Sequence, residues 1–367
     1  MSQIVDLIVE DCSGHLDAIV ATHRHKDHIS AFGLKGLCDK LISLNPDLVI
    51  QPWTEHPDAD SEALKSPEIF TNKNINHLKS LRNAELFASD ISKYANQILG
   101  RANARTHKQI MNLVSLSGIH NKNAVTNLSK MGVTNAYVHT GSKSGLENIL
   151  PGVQITVLGP PTLEQTNTIK KQTSWNKDEF WNLYSKVSKV SYSNTASKMG
   201  KSYLFPNAKK TVIGKAHSYV KWLVKQLDNI QVENMKNIVR SLDNALNNTS
   251  VILLFEVGDT GILFPGDAQL ESWQYILSQK QLKSKLSNVI LYKVGHHGST
   301  NATPKSLWNI IQNQYNKNKC LISLISTKEG HHSEVPRKSL LNALENNSDL
   351  FSTQGWKKQL KKEFTIL

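Results

Sequence analysis

Thr22-His23-Arg24-His25-Lys26-Asp27-His28 follows directly on the apolar run Ala18-Ile19-Val20-Ala21 and places four potential metal ligands within six residues. Imidazole and carboxylate together suit zinc or a similar first-row divalent ion. From an extended segment His23 and His25 project the same way, because side chains alternate along a strand. Asp27 and His28 are then expected to turn toward a second position as the chain rounds the strand end. The pattern is that of a two-metal site. The plainer reading of the same residues is a solvated basic loop.

Matching parts in the second half of the chain favour the metal reading. Val251–Phe255 and Gly261–Phe264 read as a hairpin of buried strands with the turn signal Gly258-Asp259-Thr260-Gly261 between them. The second strand runs into Pro265-Gly266-Asp267, so Asp267 is a carboxylate at a strand end, where it can bridge two cations. Asn288–Val294 is another strand candidate and ends in Gly295-His296-His297-Gly298-Ser299, which again delivers imidazoles at a strand terminus. Taken alone, a Gly-Asp turn or a His pair beside glycines is ordinary loop sequence. Together with the first motif they form a set.

In these motifs the chain resembles the metallo-β-lactamase-fold hydrolases. The resemblance runs in order through His23-x-His25-x-Asp27-His28, Asn247-Asn248-Thr249-Ser250, Pro265-Gly266-Asp267-Ala268 and Gly295-His296-His297-Gly298-Ser299. The last three are particularly similar to the metallo-β-lactamase-like domain of bacterial DNA-uptake (competence channel) proteins. The similarity covers about half the chain, residues 1–50, 130–160 and 245–345. It implies an α/β chain built as an αββα sandwich, with two divalent metal ions, zinc first and manganese second, at one edge where strands of both sheets end. His23 and His25 would hold one ion. Asp27, His28 and one of the His296/His297 pair, with His296 taken as the ligand, would hold the other, and Asp267 would bridge them. Asp27 and His297 are the expected catalytic residues, the second histidine stabilising charge on the substrate or protonating the leaving group. Histidine rather than glutamate at position 25 departs from the iron-type, oxygen-reducing branch of the family, so hydrolysis is expected.

The chain departs from that pattern in two places. Family members begin with several strands before the helix that leads to the His-rich motif. Here Ile4, Val5, Ile8 and Cys12 already stand at helical spacing, with Gly14 as the stop. The first strands are thus expected to be missing, through a truncated chain, a misassigned start or true loss, leaving an unpaired sheet edge beside Ala18–Thr22. Also, the strand Val153–Leu158 ends in Gly159-Pro160-Pro161 without the third histidine of the first metal position. His139 is the nearest substitute and reads as a strand-end residue.

Length and composition agree with a globular α/β enzyme. The 367 residues can bury a full core and form a single domain with insertions. No apolar run approaches the ~18 residues of a membrane helix, and no signal-peptide pattern opens the chain. Cys12, Cys38 and Cys320 are far apart and form no metal-spacing pair, so a reducing cytoplasm is the expected location. A helix through Phe32 to Leu44 and the strand Leu48–Gln51 precede a first helical insertion at 55–130. A second insertion, 163–245, holds 14 Lys or Arg against 6 Asp or Glu, a difference of +8 within the chain's total of +13. There Trp175, Phe180, Trp181, Tyr184, Tyr192 and Tyr203 interleave with Lys170, Lys171, Lys177, Lys186, Lys189, Lys198 and Lys201. Basic side chains neutralise phosphates and aromatic faces stack on bases, so nucleic acid or another phosphate-rich molecule is the expected partner. The competing reading is compositional bias and inward packing. The strand Cys320–Ser326 is followed by His331 and His332, which read as loop residues or supports of the site.

Three functions fit these features. A metal-dependent phosphodiesterase or nuclease leads. A hydrolase of a small thioester, lactone or amide is weakened by the missing histidine after the first-half strand, and a non-catalytic binding descendant of the fold is the third.

Overall fold

Leu48–Pro52 is a five-residue run without a charged side chain, and every one of its residues is buried, as suits the central strand of a parallel sheet. In the structure, a computed structural model, this strand (β2) lies between β1 (Ala18–Val20) and β3 (Thr134–Val138) and is parallel to both. The structure describes residues 1–57, 71–75, 77–79, 81–82, 121–166, 244–299, 301–313, 321–327, 335–354, 361 and 363.

A second, six-stranded sheet takes its strands in sequence order: β4 (Gln154–Gly159), β5 (Ile252–Val257), β6 (Thr260–Phe264), β7 (Val289–Lys293), β8 (Ile322–Ile325) and β9 (Asp349–Ser352). The first two pairings are antiparallel and the last three parallel. The hairpin read from sequence is present and tighter than expected. Val257 pairs with Thr260, leaving Gly258 and Asp259 as a two-residue turn with Gly258 at φ +56°.

The two-residue period of the strands sorts their side chains into layers. Leu48 and Ile50 of β2 join Val157, Val251 and Leu253 of the other sheet in one apolar cluster, so the sheets pack face to face. Val49, between them, points the other way, into a cluster with Ile19, Ile29, Leu41, Ala124 and Leu128. That face is covered by α1 (Ser2–Asp11), α2 (Lys26–Gly33), α3 (Lys35–Ile42) and α4 (Lys122–Met131). On the far side of the larger sheet, Ile252, Leu254, Leu263 and Tyr292 pack against Trp273, Leu307, Trp308 and Leu344. These come from α5 (Leu270–Ser278), α7 (Lys305–Ile311) and α8 (Lys338–Asn347), with the short α6 (Lys280–Lys285) between the first two. The chain is therefore mixed α/β, with helices outside and two sheets inside.

The expected edge is present: among the described residues β1 pairs with β2 alone. The single helix expected through Phe32 to Leu44 is instead two. Leu34 takes extended angles between α2 and α3. Gly33 ends α2 where a Cβ would stand 2.9 Å from Asn121 Oδ1 and 3.4 Å from Ala124 Cβ, so the close packing of α4 falls at the break. The two insertions lie largely outside the described residues, as do His331 and His332. Residues 72–75 and 77–79 of the first insertion are helical, in keeping with the sequence. No described helix is long and apolar enough to cross a membrane.

Candidate metal centre

Parallel strands bring their carboxyl ends to one edge of a sheet, and ligand sites form there. The last ladder bond of β1 is Ala21 N–H to Ile50 O at 2.9 Å, after which the chain leaves the sheet. Residue 22 is held from the other side, its carbonyl accepting from Val251 N–H at 2.9 Å. His23 and His25 follow and are buried, 1 % and 4 % exposed, His25 with extended backbone angles. His25 caps α2, whose first turn carries Asp27 and His28. The last two were read as turning toward a second position as the chain rounds the strand end; the turn they stand in is helical, and both are exposed.

The larger sheet supplies the other half. Asp267 stands three residues beyond β6 and is 4 % exposed. Gly266 before it has φ +55°, and a Cβ there would stand 3.0 Å from both Ser250 and Thr22, so only glycine suits this turn. Asp267 N–H donates to Ser250 Oγ at 3.1 Å, so the Asn247-Asn248-Thr249-Ser250 motif props the Asp267 turn from below. After β7, His296, His297 and Gly298 all have positive φ, at +44°, +51° and +85°. That conformation is costly for non-glycine residues, and such strain concentrates at functional sites.

The turn decides which histidine reaches the site. His297 Nε2 lies 3.0 Å from Asp27 Oδ2, across 270 residues of sequence. His296, expected as the ligand, donates its backbone N–H to Asp267 Oδ1 at 3.1 Å, and its buried Nδ1 has no hydrogen-bond partner among the described residues. Two overlapping clusters result. His23, His28 and Asp267 offer ligand atoms within 4.8 Å of one another, and so do Asp27, His28 and His297. The residue common to both is His28, and Asp267, the expected bridge, belongs to the first. His25 Nδ1 lies 3.0 Å from His23 Nε2. His139 lies just beyond β3, its Nδ1–H donating to Thr140 O at 3.0 Å, and belongs to neither cluster.

The donor set fits a zinc- or manganese-type ion, with imidazoles and carboxylates converging and their non-ligating atoms held. His23 Nδ1 is 3.1 Å from Thr22 Oγ1. His297 Nδ1–H donates to Ser326 O at 2.9 Å, which directs Nε2 inward. Sequence reading missed these two supports, although both sit at ends of strands it had placed.

Charges are graded with depth. Full burial, aided by the His28 and His25 imidazoles, pushes His23 well below the usual imidazole range. Burial also disfavours protonation of His28, but the hydrogen bond and charge of Asp267 outweigh it and raise the pKa. The hydrogen bond to Asp27 raises His297 in spite of partial burial. Burial works against ionisation of both carboxylates. His297 and His28 nevertheless hold Asp27, and His28 and His23 hold Asp267, well below the usual carboxylate range.

A pH signature follows for protein stripped of metal by a chelator. The raised pKa values of His28 and His297 add stability below the unfolded value of about 6.5, and this is lost as pH rises through their folded values. The depressed His23 acts oppositely, costing stability as pH falls below about 6.5. The two carboxylates stabilise above about 4, and that contribution disappears in acid. The urea midpoint should therefore peak near pH ~6.5. With zinc present it should keep rising toward pH ~8, since ions take deprotonated imidazoles. A chelated midpoint that climbs steadily through neutrality would contradict these assignments.

Comparison with protein-family models, curated proteins and solved structures finds no match to this chain.

Proposed function

We propose that this chain is a metal-dependent hydrolase of the metallo-β-lactamase type, that its two packed sheets are the αββα sandwich of that fold, and that its substrate is a phosphodiester. One observation carries the reading. Side chains from segments as far apart as Asp27 and His297, or His28 and Asp267, meet at 3.0 and 3.2 Å where strands of both sheets end. Imidazole-rich clusters with partly buried carboxylates have no purely structural need to assemble there.

His23, His25, Asp27, His28 and Asp267 would hold the ions, with His297 beside them. Divalent ions in such a site lower the pKa of water and polarise the scissile group. His23, His25 and Asp267 are buried, whereas the side chains of Asp27, His28 and His297 are 49 %, 26 % and 22 % exposed, so substrate approaches from the side of these three. A proton that Asp27 Oδ2 takes from the attacking water can pass to His297 Nε2 and from there to the departing oxygen. Nucleic acid is the favoured substrate, supported by the resemblance to DNA-uptake domains and by the +8 excess of residues 163–245.

The test joins metal analysis of the purified protein to turnover of bis(p-nitrophenyl) phosphate and to DNA binding as a function of salt. Metal should be present, the small phosphodiester hydrolysed, and DNA affinity should fall steeply with salt as counterions are released. Changing Lys170, Lys171, Lys209 and Lys210 to Gln should reduce the log–log salt slope by up to about 4 while leaving small-phosphodiester turnover nearly unchanged. Salt-insensitive or absent DNA binding, with good turnover of a small ester or thioester, would move the substrate to that class.

A further inference from the structure

We propose that the buried Arg24–Glu55 pair is a positioning device for the metal centre. It aims the His23-x-His25 segment and neutralises the cation that the segment itself carries next to the site. The proposal rests on the functional reading above and deepens it, since it concerns how that site is held.

Arg24 is the residue between the two histidines, whose rings meet each other while its own side chain does not join them. It meets Glu55, at the end of the short 3-10 turn Trp53–Glu55 that follows β2. Arg24 Nε–H donates to Glu55 Oε1 at 2.8 Å, and Nη2–H donates to Oε2, giving a two-pronged contact of planar groups. The two side chains are 14 % and 4 % exposed. Beyond Ala21 the chain has left the β-ladder, so this fork ties the ligand-bearing segment back to the neighbouring strand at its midpoint. Val251 N–H on residue 22 and the cap at His25 hold its two ends. His23, Arg24, Gln51 and Glu55 line one small cavity, so the pair lies directly behind a ligand ring.

Charge gives the pair a second role. A guanidinium is protonated at all accessible pH values. Unpaired and buried beside a cluster meant for divalent cations, it would oppose their binding. Glu55 cancels that charge without entering either ligand cluster. Burial of both groups is costly, and a pair of this kind can be replaced by apolar residues of similar volume with little loss of stability or even a gain. Folding alone therefore gives it weak justification. Metal affinity distinguishes the roles.

The experiment uses the full chain. Zinc affinity is measured by competition with a chromophoric chelator, and Tm is measured on chelator-treated protein, for wild type, for Arg24→Met with Glu55→Leu, and for Glu55→Gln. The double variant should melt within about 4 °C of wild type, yet bind zinc ~10- to 100-fold more weakly, the range seen when supports of metal ligands are removed. Glu55→Gln keeps the shape of the fork's acceptor but removes its negative charge, and should lose at least ~10-fold in zinc affinity. Excess zinc should restore its hydrolysis of bis(p-nitrophenyl) phosphate. If the double variant does not fold, Glu55→Gln decides. A lower Tm with unchanged zinc affinity marks a purely structural pair and overturns the proposal. A wild-type chain that takes up no metal overturns the proposed function itself, so the two failures are distinct.

Discussion

Replacing Asp267 by alanine is expected to strip most bound metal from the purified protein and to lower phosphodiester turnover on the order of 10³-fold, the equivalent of several kcal/mol of lost charge stabilisation. Asp267 is the deepest carboxylate of the centre. Its Oδ2 lies 3.2 Å from His28 Nε2 and 3.8 Å from His23 Nε2. Its Oδ1 is fixed by His296 N–H and its own N–H by Ser250 Oγ. Alanine removes the buried negative charge that His23 and His28 face and leaves only the more exposed Asp27 carboxylate, 3.7 Å from His28 Nε2. His139→Ala is the control, because its ring bonds to the adjacent Thr140 carbonyl outside both clusters. Its metal content should match wild type. Equal losses in the two variants would show that the centre lies elsewhere or includes His139.

The second large effect separates two neighbouring histidines. His297→Ala should lower kcat by ~10²- to 10⁴-fold, the usual cost of a positioned proton-transfer group. His296→Ala should lose less than about tenfold. The reason is the backbone. His296 serves Asp267 through its main-chain N–H, which alanine retains, whereas His297 reaches Asp27 through Nε2 and is oriented by the Ser326 carbonyl. Metal content and kcat of both variants, measured in parallel, check the assignment. The reverse ranking would make His296 the working side chain and would mean that the turn rearranges when the ions bind.

Much of the centre was legible in the sequence because its parts are written locally. The apolar run Ala18–Ala21 stops at a cluster of His and Asp, and Gly261–Phe264 stops at Pro265-Gly266-Asp267. A strand and the breaker after it place a side chain at a sheet edge without knowledge of the partner strand. Alternation did the same for packing. The period of two sends Val49 to the helices and Leu48 and Ile50 to the other sheet, and it requires no long-range information. The break at Leu34 was not legible because Gly33 ends α2 against Asn121 and Ala124, nearly ninety positions away. That the two ligand clusters meet at His28 was hidden for a similar reason, since Asp27 and His28 stand in the first turn of α2 and not in the strand before it.

The sequence by itself therefore determined the residue types of the centre, their places at strand ends and the α/β character of the chain, since each depends on period and punctuation within a few neighbours. Only the tertiary structure decided that His297 and not His296 meets Asp27, because three successive left-handed residues, seated against Ile325 and Pro336, set the direction of that turn. It also paired Arg24 with Glu55, thirty-one residues apart on the segments that follow two parallel strands, and joined Ser250 to Asp267. These contacts are non-local, and their geometry exists only once two sheets have packed face to face and brought the ends of separate strands to one edge.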